Sequence, residues 1–185
     1  QKDLEADAGQ HNRISTLAVP DLSQNLRAQA IVGDSLTFGK NNGAPSLIDA
    51  VIQMRQCLDA TEVTAIRAAT KVTRAAHLAA MGITRPGVHE VEVAAAFHNV
   101  VERAGLQTAY SSIVTVQGEI LHNFRYVNTA KTGQLLLLDG GAEAISGYAT
   151  DITRTWPVSG AFDARQKGAY SAVLAAQKAA INTVR

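Results

Sequence analysis

Apolar residues along the chain repeat with two different periods, and the change from one to the other divides the sequence. From Pro45 they recur at threes and fours. Leu47, Ile48, Val51, Ile52 and Met54 form a stripe that ends near Arg55, the spacing of an amphipathic helix, and Pro45 suits its first turn. A second helix is predicted from Asp59, which can cap it while Glu62 reaches back to the cap. Its stripe is Val63, Ile66, Ala69, Thr73, Ala76 and Ala80, with Gly82 and Pro86-Gly87 to stop it. A third helix is predicted from about Val88 to Glu102 or Ala104, with Val93, Phe97, Val100 and Ala104 on one side and Gly105 at its end. Upstream of Pro45 the pattern is mixed and polar, and only Gln29-Ala30-Ile31-Val32 reads as a short strand.

Beyond Gly105 the period becomes two. Ser112 to Val116 reads as a strand followed by a Gln117-Gly118 turn, Leu135 to Asp139 as a strand buried on both faces, and Tyr148 to Val158 as another. The short link between the last two carries Ser146-Gly147, so an antiparallel hairpin is expected. Asp163 with Gln166 then caps a final helix, whose stripe of Tyr170, Val173, Leu174, Gln177, Ile181 and Val184 should face inward. The fold class is α/β in the α+β sense, with helices packed on an antiparallel sheet.

Composition removes several classes of function. Of 185 residues, 46% are hydrophobic and 18% charged, enough for a packed core and too apolar for a disordered chain. The formal charge of +1, without basic or acidic blocks, argues against a nucleic-acid or anionic-membrane partner. Apolar runs such as Leu135 to Leu138 are far too short to span a bilayer. A single cysteine, Cys57, excludes an internal disulfide and a cysteine zinc cage. It fits a reducing, cytoplasmic setting and a half-buried helix position better than a nucleophile. No targeting segment is visible, and both ends, Gln1 and Arg185, read as cut.

Two aspartates stand out because they sit where aspartate is disfavoured. Asp139 follows four leucines, and Asp151 lies among Tyr148, Ile152 and Trp156. A buried ionised carboxylate costs several kcal/mol, roughly 3–5 once its partner is removed, unless something neutralises it. If the hairpin closes around Ile145 the two lie about opposite each other on one face, with β-carbons about 4.5–5.5 Å apart. Carboxylates so close either share a proton or hold a cation between them, and oxygen ligands suit hard divalent ions. A protonated acid pair, or turn-capping aspartates, fits these residues equally well. His89 and His98, nine apart, do not share a helix face as a metal pair would, and with His77 and His11 they are expected to be solvated or packing residues.

The segment Leu138-Asp139-Gly140-Gly141-Ala142-Glu143, followed by Gly147-Tyr148-Ala149-Thr150-Asp151-Ile152-Thr153-Arg154-Thr155-Trp156-Pro157-Val158, resembles the aminopeptidase P and prolidase family of pita-bread metallopeptidases. Ile113-Val114 and Ile120-Leu121-His122, the Asp59 to Arg67 run and Arg85-Pro86-Gly87-Val88 are similar to further elements of that family, so the likeness covers about residues 45 to 185. It implies that Asp139 is a terminal metal ligand, that Asp151 bridges two ions, and that His122 serves as general acid/base or hydrogen-bonding residue. Asp139 and Asp151 are twelve apart, one more than is common in the family. The turn Ala144 to Gly147 is expected to absorb the extra residue.

The resemblance further implies a dinuclear-metal hydrolase that removes the N-terminal residue from Xaa-Pro peptides. It would use two divalent ions, manganese first, with cobalt or zinc as alternatives. Peptides with proline at the second position would be its partners, and it would act as a homodimer. Residues 1–55 would close a preceding N-terminal domain and linker, and 56–185 would form the N-terminal half of the pita-bread catalytic domain. The family's remaining ligands, a histidine and two glutamates, have no match after Gly160, so the fragment is expected to be inactive alone. An Xaa-Pro dipeptidase is the alternative within the class. A non-catalytic pita-bread binding protein, or a metal-independent creatine hydrolase relative, should lack the two aspartates.

Overall fold

The computed structural model describes residues 14–184; His11 lies outside them. The chain divides into two compact units, Gln1–Asp59 and Ala60–Arg185.

In the first unit, α1 (Leu22–Val32) starts at Asp21, whose carboxylate accepts from Ser23 N at 2.8 Å and Gln24 N at 3.2 Å. These bonds, with one from the Ser23 hydroxyl foremost, hold the Asp21 pKa below the usual carboxylate value. Gly33, at φ 79°, ends the helix. The strand expected at Gln29 to Val32 is therefore the last turn of α1. Helix α2 (Pro45–Gln56) begins at its proline as predicted, and Cys57, just past its end, is exposed rather than half-buried.

The second unit packs α3 (Ala60–Ile83) and α4 (Glu90–Arg103) against one face of a three-stranded antiparallel sheet. Its order is β2 (Ile113–Thr115), β3 (Leu135–Gly140), β5 (Ile152–Pro157). A two-stranded sheet joins β1 (Gln107–Thr108) to β4 (Ala142–Glu143), and α5 (Ala164–Thr183) follows β5. Strand β3 alternates: Leu136, Leu138 and Gly140 are buried, whereas Leu135, Leu137 and Asp139 are half-buried. Only one face of this strand is thus covered, not both. Leu136 and Leu138 join Ala76, Ala80, Val93, Phe97, Val101, Trp156 and Val158 in the core, each large side chain contributing about 1.5–3 kcal/mol. Gly140 is needed there, since a β-carbon would lie 2.8 Å from the Phe97 ring.

Helix α5 is capped as expected, Asp163 accepting from Gln166 N at 2.8 Å and Gln166 Oε1 from Asp163 N at 3.1 Å. Its apolar stripe, however, does not face inward. Among the described residues of α5 none is buried, and Val173 and Ile181 are 70% and 62% exposed.

Candidate active site

The β3–β5 hairpin sets both aspartates. Asp139 pairs with Thr153 and Gly140 with Ile152. The same register continues through Thr150 N donating to Ala142 O, Glu143 opposite Ala149, and Ala144 N donating to Tyr148 O. A three-residue loop, Ile145 to Gly147, closes it, with Gly147 N bonded to Ala144 O and Gly147 at φ 81°. The turn therefore takes up the odd residue without disturbing the ladder. Asp151 is not opposite Asp139 but two residues along, a diagonal neighbour on the same face, where α-carbons are typically about 7–8 Å apart. Asp139 is half-buried and Asp151 exposed, so neither carries the burial penalty expected from its apolar neighbours.

What joins the carboxylates is Tyr110. Its hydroxyl lies 2.7 Å from Asp139 Oδ1 and 2.9 Å from Asp151 Oδ1, so the two acids are no further apart than two hydrogen-bond lengths. Burial, then these bonds and the adjacent charges, push the Tyr110 pKa well above its ordinary value. The phenol stays protonated and supplies the proton the acids share. Tyr110 precedes β2, and Ala109 N donates to Gly141 O in the hairpin. No local pattern marks it; its place follows from the pairing of Ile113 with Asp139.

His122 lines the same cavity of about 430 Å³, with Tyr110, Ser111, Ile113, Phe124, Asp139 and Asp151. Its backbone has φ 53°, left-handed in a residue other than glycine, a conformation that persists only where the surroundings impose it. Its ring stacks on Phe124, centroids 6.4 Å apart and planes at 14°. Buried Glu90 holds both ends of the loop. It accepts from Val116 N at 2.9 Å, from Asn128 N at 2.9 Å and from the Asn128 amide at 3.0 Å. Tyr126 donates to Ser112 O, and its burial raises its pKa.

The other histidines lie elsewhere. His77 is buried between Thr73 O and Ile152 O. His98 lies 3.3 Å from the Ser112 hydroxyl, and its pKa is lowered by desolvation against an opposing Glu102 charge. His89 precedes α4, its backbone N–H donating to Glu92.

Two converging carboxylates on an open face suit a hard divalent ion. Among the described residues no three His, Cys, Asp or Glu gather into a metal cage, so the donor set fits part of such a site. No described helix is long and apolar enough to cross a membrane.

The two acids thus lie on the free face of an antiparallel sheet backed by two helices. The chain belongs to metallopeptidase family M24, whose model matches residues 64–185. It is 36% identical over 160 residues to a probable Xaa-Pro aminopeptidase of Leptosphaeria maculans, covering 83% of this chain and 28% of that one. With the Xaa-Pro aminopeptidase of Escherichia coli it shares 33% over 138 residues, 73% of this chain and 31% of the relative. The low-pH structure of Escherichia coli aminopeptidase P superposes with a TM-score of 0.70 at 34% identity, over 74% of this chain and 31% of that chain. A zinc-substituted form in complex with product gives 0.71 at 30%, over 88% and 36%. The chain thus spans about a third of the length of these relatives, and its mixed helix and antiparallel-sheet fold is similar to the matching part of aminopeptidase P.

Proposed function

We propose that this chain supplies part of the dinuclear metal site of an Xaa-Pro aminopeptidase. Asp139 would serve as a terminal ligand and Asp151 as the bridging one, and His122 would meet the substrate. The observation that carries this reading is the convergence of both carboxylates on one phenol hydroxyl, in the cavity that His122 also lines. Bound divalent ions, manganese first, would polarise the scissile carbonyl and lower the pKa of the attacking water.

The chain's own groups do the rest. Asp139 and Asp151 would fix where bound cations sit, and Tyr110 holds the two acids together. His122, which lines the same cavity, donates to the developing oxyanion or moves a proton to the leaving nitrogen. Phe124 keeps its ring in one plane. Substrates are peptides with proline second, and a homodimer in the cytoplasm is the expected form. Residues 1–55 belong to a preceding domain and linker and 56–185 to the first half of the catalytic domain, a division supported by the compact units meeting at Asp59 and Ala60. Two carboxylates are too few for paired ions, so peptide cleavage is expected of a longer protein containing this chain.

The test is cleavage of an Xaa-Pro peptide by such a protein, with manganese and after chelation. Release of the first residue should need the metal and should be lost in Asp151→Asn. Activity indifferent to chelator, or kept by that variant, would overturn the reading.

A further inference from the structure

Asp151 lies outside the regular ladder, one residue before β5 begins, yet the segment around it is held from behind. Exposure alternates from 148 to 152: Tyr148 half-buried, Ala149 exposed, Thr150 buried, Asp151 exposed, Ile152 half-buried. The inward positions all meet α3. Tyr148 donates to Glu62. The Thr150 hydroxyl lies 2.6 Å from that of Thr73, and both take the N–H of Ala142, at 3.1 and 3.0 Å. His77 Nε2 lies 3.1 Å from Ile152 O and Nδ1 3.0 Å from Thr73 O; both carbonyls only accept, so a neutral ring donates to one of them at a time, and the Nε2–H tautomer is the one that holds Ile152.

Thr73 and His77 stand one helical turn apart, a rise of about 6 Å. Residues 150 and 152 stand one strand repeat apart, about 6.6 Å. The two spacings match, so one turn of α3 grips the residue on each side of Asp151 while the carboxylate between them points the other way. His77 is itself fixed, its ring edge-on to Phe97 with centroids 5.2 Å apart.

We propose that Thr73 and His77 are positioning residues for Asp151, anchoring its two neighbours so that its carboxylate stays within reach of Tyr110 and of Asp139. The consequence for metal binding rests on the reading of Asp151 as a ligand; the anchoring itself does not. The outer partners of metal ligands typically carry 10–100-fold in affinity, and here the link runs through the backbone.

The experiment uses the 185-residue chain. Carboxyl carbon resonances of Asp139 and Asp151 are recorded without metal, Mn²⁺ affinity by electron paramagnetic resonance of the free ion, and Tm alongside. Thr73→Val should shift the Asp151 resonance, leave that of Asp139 in place, and weaken Mn²⁺ binding about tenfold. Thr73→Ser should restore both. His77→Phe, which keeps a ring against Phe97 and removes the donor, should act in the same direction; should it fail to fold, Thr73→Val carries the test. Val101→Ala, in the core on α4, should lower Tm and leave the Asp151 resonance unmoved. An unmoved Asp151 resonance in Thr73→Val, or an equal shift in Val101→Ala, overturns the proposal. If the resonances respond as stated, anchoring stands whatever Mn²⁺ does; Mn²⁺ binding left unchanged by Asp151→Asn would overturn the metal reading alone.

Discussion

Asp139 and Asp151 sit diagonally across the β3–β5 hairpin and share one proton donor, the hydroxyl of Tyr110. Like charges at this separation repel, so the phenol both spaces them and offsets their repulsion. Tyr110→Phe removes the donor with little change of shape. It should weaken Mn²⁺ binding by about tenfold, read from the signal of free Mn²⁺. Unchanged affinity would show that Tyr110 plays no part in holding the pair.

The same phenol predicts an alkaline effect. Its pKa lies above the ordinary tyrosine value in the folded chain. The fold therefore favours the neutral form, and its contribution to stability is full below about pH 10, the unfolded value. It is lost as pH rises from there towards the folded pKa. Wild type should lose Tm above pH 10 more steeply than Tyr110→Phe. Parallel curves for the two would exclude this contribution.

How much of this was legible in the sequence depends on whether the signal was local. The starts of α2 and α5 announce themselves through Pro45 and Asp163, because proline and capping groups act on their own turn. The hairpin was legible for the same reason, its Ser146-Gly147 corner being a local event. Gln29 to Val32 misled because four residues are too few to separate strand from helix; Asp21 and Gly33 at the helix ends were the better guides. Four leucines in a row concealed the alternation of β3. The stripe on α5 tells which side is apolar, not what lies against it. Tyr110 could not be found at all, since its role comes from pairing between segments distant in sequence.

Glu90 shows how a buried charge can shape a loop. Its carboxylate takes both the Val116 and Asn128 N–H groups, tying down the two ends of the stretch that carries His122. Glu90→Ala leaves those donors without their acceptor, each costing about 1–3 kcal/mol. A loss of about 3 kcal/mol in denaturant unfolding is expected, with faster amide exchange between 117 and 128. Exchange unchanged in that stretch would separate Glu90 from the His122 loop.

Gly140 and Gly141 follow Asp139 directly and should differ when replaced. A β-carbon at Gly140 meets the Phe97 ring at 2.8 Å, a side chain that can yield; one at Gly141 would lie 1.6 Å from Thr150 O, which is backbone. Gly140→Ala should cost about 1–3 kcal/mol, as overpacked cores do. Gly141→Ala must part the hairpin at Thr150, and so should cost more and disturb the Asp151 resonance. Equal losses in urea unfolding would contradict the close approach of these two strands.

His98 sets the acid side. Desolvation lowers its pKa below the ordinary histidine value, with Glu102 opposing the shift. The folded chain thus favours the neutral ring, whereas the unfolded chain takes up a proton at about pH 6.5. Its contribution to stability is therefore full above that pH. It is lost as pH falls through 6.5 towards the lower folded value, because there the unfolded state binds more protons. His98→Gln keeps a polar group near the Ser112 hydroxyl and cannot charge. Between pH 7.5 and 5.5 its Tm should fall less than that of wild type; an equal fall would assign the acid sensitivity to other groups.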